Sequence, residues 1–227
     1  MATHLDLDEQ EQLDQLKAFW KQYGNLITWV LVLVLGGYAA WQGWNWYQRD
    51  QAFKAGAMFD ELDKAAQAGD AQKSARVFAD MKERFPRTAF TEQAALLAAK
   101  VQFEKGQPDA ARASLTWASE NALESAYKTV ARLRLAGILL DEKKYDEALK
   151  QLDGADAKEF AALVADRRGD ILQAQGKKDQ AKAAYLQAWK TMDETVEYRR
   201  LVEAKLAALG AAPEADKAVA ASAGVAK

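Results

Sequence analysis

The sequence has no cysteine and one histidine, His4, among its 227 residues. The absence of cysteine excludes disulfides, thiolate catalysis and cysteine-ligated metal sites. The single histidine has no carboxylate cluster of metal-ligand spacing beside it, so it supports neither a zinc site nor a Ser-His catalytic pair. The adjacent glycines Gly36 and Gly37 lie in an apolar stretch and form no phosphate-binding loop. We therefore expect a protein that is not an enzyme and that binds no cofactor and no metal.

Neither sign of charge is in excess. The chain carries 31 basic and 33 acidic residues, a net charge of -2, whereas a nucleic-acid-binding surface needs a clear basic excess or stripe. Proline is also scarce, with three residues, and no stretch shows the β-branched alternation of a strand. Alanine is abundant and favours helix. These features predict no nucleic-acid partner and an all-α fold.

Charge is missing altogether from residues 22–48, between Lys21 and Arg49. A hydrocarbon core about 30 Å thick requires roughly 20 apolar residues of helix, and residues 26–47 provide them. Aromatic side chains stand at both ends of this run, as they do where helices cross the headgroup layers: Trp20, Tyr23, Trp41, Trp44, Trp46 and Tyr47. We predict an uncleaved transmembrane helix at residues 26–47, which anchors the protein in a lipid bilayer.

Two other interpretations of this run compete with the anchor. A cleaved signal peptide has a basic start and a short apolar region that ends at a small-residue cleavage site. Here acidic residues outnumber lysines before the run, and bulky aromatic residues follow it. A buried core helix is the second alternative, although a stretch as apolar as residues 26–35 is unusual in a small helical domain.

Residues 1–25 form the segment before the anchor. Between residues 8 and 22 the apolar side chains recur every three or four positions, as on one face of a helix: Leu13, Leu16, Phe19, Trp20 and, just beyond, Tyr23. This pattern predicts a short amphipathic helix or, equally, an anchor helix that begins early. The positive-inside rule gives no orientation, because two basic residues lie near each side of the anchor: Lys17, Lys21, Arg49 and Lys54.

Small residues recur inside the anchor. Gly36 and Ala40 are four positions apart, and Gly43 follows one turn later. Such spacing lets a second helix approach closely within a bilayer, so these three residues are candidate contacts for another transmembrane helix. Glycine and alanine are also common in spanning helices without a partner, and this alternative stays open.

A repeat follows the anchor. Four helix-breaking turns are centred on Gly69, Gly106, Lys143 and Gly176, at spacings of 37, 37 and 33 residues. Each turn is followed by a small residue, then by a large residue four positions on, and then by a further residue three beyond that. The small residues are Ser74 or Ala75, Ala111, Ala148 and Ala181; the large ones are Phe78, Leu115, Leu152 and Tyr185; the last set is Met81, Ala118, Ala155 and Ala188.

This repeat predicts helical hairpins, because small residues let two helices approach while large ones fill the gap to the next hairpin. No hairpin buries its apolar face alone, so several must stack and a terminal helix must cap them. We predict an all-α fold in which a transmembrane helix precedes an α-solenoid of about four hairpins, at residues 48–209, with residues 196–209 as the cap. Residues 210–227 are alanine-rich without an apolar stripe and predict a disordered tail.

Stacked hairpins present a concave groove that can hold a peptide. By repeat position, the candidate groove residues are Lys100, Arg132 and Arg168, with an ordinary solvated charged face as the alternative. Asp166 and Asp170 stand one turn apart and could be imagined as a catalytic acid pair. We interpret them instead as surface charges that form helical ion pairs.

Several segments carry a resemblance to a known family. They are LKAFWKQYGN at residues 16–25, the aromatic-rich residues 41–47, and VADRRGDIL at residues 164–172, which is followed by Gly176, Ala181 and Tyr185. The stretch KYDEAL at residues 144–149 is similar to the turn and second helix of tetratricopeptide repeats. From about residue 9 to 209, the chain resembles the YfgM family of bacterial inner-membrane proteins, which are ancillary subunits of the SecYEG translocon.

The resemblance implies a location and a set of partners. It implies a single-pass protein of the inner membrane with a cytoplasmic N-terminus and a periplasmic, tetratricopeptide-like repeat domain. It further implies association with SecYEG, with the periplasmic chaperone PpiD and with newly translocated polypeptides that would be held or handed on. It supplies no catalytic residues. The competing hypothesis is a structural scaffold with one fixed partner, for example in envelope or cytochrome-maturation assembly.

Overall fold

The computed structural model describes residues 7–211, and every regular element among them is helical. His4 and the predicted disordered tail from residue 212 onward lie outside the described residues. The chain divides into two compact units, Met1–Gln51 and Ala52–Lys227, and each is described by itself.

The described part of the first unit belongs to one helix. Helix α1 begins at Leu7 and ends at Gln67, so the interpretation in which the anchor helix begins early agrees with these bounds. Within residues 7–211, α1 is the one helix long and apolar enough, by length and composition, to cross a membrane. Its apolar side chains are exposed, with Leu33 at 71%, as a helix surrounded by lipid requires.

The small residues of the anchor also face outward. Gly36, Ala40 and Gly43 are all exposed. A Cβ atom added at Gly36 or Gly43 would meet nothing within 4 Å in the described chain. Contact of these residues with a second transmembrane helix stays a prediction.

The second unit is a stack of helical hairpins. It consists of residues 52–67 of α1, α2 (Ala71–Arg84), α3 (Ala89–Glu104), α4 (Pro108–Asn121), α5 (Ser125–Asp141), α6 (Tyr145–Asp153), a 3₁₀ turn (Lys158–Phe160), α7 (Ala161–Ala174), α8 (Lys178–Thr191) and α9 (Tyr198–Ala208). Successive helices from α2 to α9 pack on one another. The prediction of four hairpins with a capping helix is confirmed, with α9 as the cap and the 3₁₀ turn as an unpredicted addition.

Each hairpin turns at a residue in the left-handed region. The φ angles are 67° at Gly69, 71° at Gly106, 60° at Lys143 and 77° at Gly176. Two backbone hydrogen bonds close each turn as a Schellman motif. In the second hairpin, Gly106 N–H donates to Phe103 O at 3.0 Å and Gln107 N–H donates to Gln102 O at 2.9 Å. These bonds satisfy carbonyl groups that the end of a helix leaves without partners.

The predicted alternation of small and large residues forms the hairpin cores. The small residues are fully buried, with Ser74 rather than Ala75 in the first hairpin, and the large residues are 1–2% exposed. Gly169 shows the reason, because a Cβ atom there would collide with the Tyr185 ring. Ala155 is the exception and is only half-buried. Helix α6 ends at Asp153, so the sequence register fails at Ala155, which lies in the following loop.

Of the four left-handed turn residues, three are glycine and one, Lys143, has a side chain. Substitutions at these positions therefore test how much the left-handed conformation costs. An L-residue in the left-handed region costs about 1 kcal/mol relative to glycine. We expect Lys143→Gly to raise the free energy of unfolding by about 0.5–1 kcal/mol. We expect Gly106→Ala, which no neighbouring atom obstructs, to lower it by about 1 kcal/mol.

Chemical denaturation of the full chain in detergent, followed by circular dichroism, measures both changes. Opposite signs for the two substitutions are the expected result. A loss of stability in Lys143→Gly would show that the lysine side chain contributes more than its backbone conformation costs.

Candidate peptide-binding groove

A groove of about 550 Å³ runs across the first helices of the last three hairpins. These helices are neighbours in the stack, since α3 contacts α5 and α5 contacts α7. Their side chains form most of the lining, and Leu115 from α4, Phe160 from the 3₁₀ turn and Tyr198 from α9 complete it. The groove therefore lies across the first helices of successive hairpins, and peptide binding there stays a prediction.

The lining combines apolar surface with balanced charge. Ile138 and Leu115 are buried beneath it, whereas Phe103 and Leu163 remain 46% and 38% exposed. Its charged side chains comprise three of each sign: Lys100, Arg134, Arg167, Glu104, Asp141 and Asp166. Exposed large apolar side chains in a concave site offer contact area to an apolar ligand, and the mixed charges select no single sign of partner.

The structure brings one of the three predicted groove residues to the lining. Lys100 lies there, with its Nζ atom 3.8 Å from Glu104. The guanidinium of Arg132 instead fills the space that a Cβ atom on Gly154 would need. Arg168 donates to Asp153 Oδ1 at 2.8 Å. The prediction that Arg132 and Arg168 line the groove is therefore wrong, because both lie outside this lining. A role of any of the three residues in peptide binding stays a prediction.

The cations that α5 and α7 do contribute are Arg134 and Arg167. Both lie nine residues before the left-handed residue of their hairpin, so they occupy the same helical face. Arg132 and Arg168 lie eleven and eight residues before it and therefore point elsewhere. Selecting the basic residues that lie nine positions before each turn residue would have identified Arg134 and Arg167 as lining residues from the sequence.

At one end of the groove, a buried ionic network ties α9 to α7. Asp166 is 3% exposed. Lys205 Nζ donates to Asp166 Oδ1 at 2.8 Å and to Asp170 Oδ1 at 2.7 Å. The Tyr198 hydroxyl donates to Asp166 Oδ2 at 2.7 Å, and the Tyr185 hydroxyl donates to Asp170 Oδ1 at 2.9 Å. One ammonium group thus joins two carboxylates of α7 to the capping helix.

The interpretation of Asp166 and Asp170 as surface charges is wrong for Asp166, which is 3% exposed, whereas Asp170 is partly exposed. Only the contact between Arg167 and Asp170, at 3.6 Å, is the helical ion pair that we expected. The principal partner, Lys205, is 39 residues from Asp166 and 35 from Asp170, a separation at which helical periodicity predicts no contact. Among the described residues, no group of three or more His, Cys, Asp or Glu side chains could hold a metal ion.

The surroundings of the network favour its protonated forms. Burial raises the pKa of the Tyr185 and Tyr198 hydroxyls, and the adjacent carboxylates raise it further. Burial opposes the charge on Lys205, but its hydrogen bonds to Asp166 and Asp170 outweigh this and raise the pKa of the ammonium group. All three groups therefore hold their protons to higher pH than they would in water.

A series of helical hairpins behind one long apolar helix defines a membrane-anchored protein of the tetratricopeptide-like class. The tetratricopeptide repeat-like domain family matches residues 17–211. Curated relatives named ancillary SecYEG translocon subunit match over most of their length. The relative from Neisseria gonorrhoeae is 32% identical over 210 residues, which cover 92% of this chain and 100% of the relative.

Two further relatives carry the same name. The one from Haemophilus influenzae is 31% identical, with 80% of this chain and 89% of the relative covered. The one from Escherichia coli is 30% identical, with 78% and 85% covered. The chain belongs to the family of ancillary SecYEG translocon subunits, which confirms the resemblance found in its sequence.

The first prediction from the network concerns Lys205. Lys205→Met would leave the buried Asp166 without its cationic partner, and we expect a loss of about 2–3 kcal/mol in the free energy of unfolding. Arg200→Met, at an exposed position on the same helix, should change it by less than about 0.5 kcal/mol. Denaturant titration of the full chain in detergent gives both values. Equal, small losses would show that the ammonium group contributes no net stability.

The second prediction concerns alkaline pH. Above about pH 10, the unfolded chain releases protons that the folded network retains, so the free energy of unfolding must fall as pH rises. Tyr198→Phe removes one of the groups with a raised pKa and should make this fall shallower. Tyr145→Phe, a tyrosine outside the network that packs in another core cluster, should keep the wild-type slope. Denaturation at a series of pH values between about 9 and 12 measures how steeply the free energy of unfolding falls in each variant. Identical slopes in Tyr198→Phe and Tyr145→Phe would contradict the raised pKa of the Tyr198 hydroxyl.

Proposed function

We propose that the protein is an adaptor of the SecYEG translocon whose groove holds segments of newly translocated polypeptides. The names of its relatives support the translocon as the partner. The observation that carries the proposal is the exposure of Phe103 and Leu163, at 46% and 38%, inside a concave site. Soluble surfaces otherwise keep large apolar side chains covered or scattered, and concentrated ones mark binding sites.

The proposed mechanism needs no bond chemistry. An unfolded segment would place apolar side chains against Phe103 and Leu163, and each Å² of apolar surface removed from water contributes about 25 cal/mol. The three cations and three anions of the lining would tolerate many sequences, as a holding site for diverse chains requires. The anchor would keep the groove at a high effective concentration near the channel. Release would pass the segment to a periplasmic chaperone resembling PpiD.

The same proposal assigns an orientation and a division of the chain. Residues 1–25 would lie in the cytoplasm, residues 26–47 would cross the inner membrane and residues 48–209 would lie in the periplasm. Gly36, Ala40 and Gly43 would contact a transmembrane helix of the partner. The support for this orientation is the family resemblance, because the basic residues are equally divided across the anchor.

Site-specific photocrosslinking in native bacterial membranes tests the proposal. A photoreactive residue replaces Phe103 or Leu163, and the matched control replaces Leu123, which is 57% exposed but lies in the loop between α4 and α5, away from the groove. Mass spectrometry then identifies what each position captures. We expect both groove positions to capture many secretory polypeptides, and the control position to capture at least about tenfold fewer, the ratio that roughly 1.4 kcal/mol of apolar contact would give.

Other outcomes would overturn the proposal. Capture of one stoichiometric folded protein at the groove would make this chain a scaffold with a fixed partner. Capture of cytoplasmic proteins alone would reverse the proposed orientation. Equal capture at Leu123 and in the groove would show that the groove is not the binding surface.

A further inference from the structure

The groove has one cation from each of the three first helices that line it: Lys100 from α3, Arg134 from α5 and Arg167 from α7. The Lys100 Nζ atom lies 3.8 Å from Glu104. The Arg167 Nη1 atom lies 3.6 Å from Asp170, so both contacts are longer than a hydrogen bond. Arg134 forms no ion pair with any carboxylate in residues 7–211. The three cations therefore lack the close anionic partners that a ligand could supply.

The guanidinium of Arg134 is held in place without being neutralised. Its Nη1 atom donates to the backbone carbonyl of Leu96 on α3 at 2.9 Å, which holds the group between α5 and α3. A guanidinium has five N–H donors in a planar fork, and this bond uses one of them. The residue is exposed in the groove, yet burial of the guanidinium against its wall lowers the pKa. A charge that is partly withdrawn from water and has no anion beside it favours a carboxylate ligand.

The anions of the lining are placed elsewhere. Asp166 already accepts from Lys205 and from a tyrosine hydroxyl. Glu104 and Asp141 are the last residues of α3 and α5. Asp141 lies seven residues beyond Arg134, which is about 10 Å along the helix. The lining is therefore neutral as a whole, but its cations and its available anions occupy different parts of the groove.

Gly137 lies in the same part of the groove and is not required by the packing. Helices α2 to α9 contain two interior glycines, Gly137 and Gly169. A Cβ atom on Gly169 would lie 2.4 Å from the Tyr185 ring, whereas the nearest atom to a Cβ on Gly137 is Arg167 Cζ, at 3.9 Å. Glycine in a helix interior is less stable than alanine. Because no steric reason explains Gly137, we attribute it to the open space that it leaves beside the Arg167 guanidinium.

We propose that the part of the groove around Gly137 is a subsite for an acidic side chain of an otherwise apolar polypeptide segment, with Arg134 as the principal partner and Arg167 beside it. The apolar side chains of the segment would lie against Phe103 and Leu163. The preference applies to one position of the segment and not to its net charge, because the whole lining is balanced. The inference rests on the proposed function, since it specifies which segments the groove would hold.

Peptide titrations test this subsite in the full chain. The probes are short peptides with both ends blocked and identical apolar flanks around a central glutamate, glutamine or lysine. Fluorescence anisotropy measures their binding to the protein in lipid nanodiscs, and empty nanodiscs give the contribution of lipid. We expect the glutamate peptide to bind at least about tenfold more tightly than the glutamine peptide, a ratio that corresponds to roughly 1.4 kcal/mol. The lysine peptide should bind least tightly.

Two arginine variants separate local pairing from overall charge. Arg134→Gln keeps an N–H donor for the Leu96 carbonyl but removes the charge, and should reduce the preference for glutamate to less than about twofold. Its affinity for the glutamine peptide should not change, which also shows that the groove is intact. Arg168→Gln removes the same charge from α7 at a residue outside the lining and should keep the full preference.

Gly137→Ala should change stability and binding in opposite directions. The methyl group favours helix, so the denaturation midpoint should rise. The same methyl group would occupy the space beside Arg167, so the glutamate peptide should bind at least about fivefold more weakly while the glutamine peptide is unaffected. A lower midpoint, or wild-type affinity for the glutamate peptide, would contradict the role assigned to Gly137.

Four results would overturn the subsite, and they differ in what they leave standing. Equal affinities for the glutamate and glutamine peptides would refute the subsite but not the groove as a binding site. Binding of no peptide beyond that to empty nanodiscs would refute the proposed function as well. A preference for glutamate that persists in Arg134→Gln would assign it to another cation. Tight binding of the glutamine peptide only when its C-terminus is left free would assign the recognised carboxylate to a chain end.

Discussion

The two helices of the last hairpin lie close together because a residue without a side chain faces a large one. A Cβ atom on Gly169 would collide with the Tyr185 ring, and the second helix of every hairpin also has a fully buried small residue. Close approach buries the large residue completely, which is the main favourable contribution that a short helix can make. The turn position matters for the same reason, since it fixes which small residue meets which large one.

The different packing of the first and second helices of each hairpin also explains where the groove lies. The second helices use their small and large residues for packing, while the first helices α3, α5 and α7 keep one face free of the next hairpin. That face holds Phe103 and Leu163 as well as Arg134 and Arg167. Tyr185 belongs to both systems: its ring fills a hairpin core, and its hydroxyl donates to Asp170 in the network at the groove end. Core packing and groove geometry are therefore coupled in the last hairpin.

The sequence predicted the features that depend on local spacing. The four turns and the small and large residues could be predicted because they recur at similar spacing along the chain. Each depends only on residues close to it in sequence. The groove cations were harder, because Arg132 and Arg134 differ by two residues, which is slightly more than half a turn of helix and puts them on opposite faces. Contact between Asp166 and Lys205 depends on how α9 folds back over α7, and no local pattern reports that geometry. Ala155 was misplaced because α6 ends early, at Asp153.

In a linear array of repeats, each unit is stabilised only by its neighbours, so a terminal unit has half the support of an internal one and frays first. The last hairpin of this array forms one wall of the groove. The ammonium group of Lys205 joins that hairpin to α9 through two carboxylates of α7. Fraying from this end must therefore begin by separating buried charges, which is costly, and the wall of the groove stays folded under thermal fluctuations that would open an uncapped array.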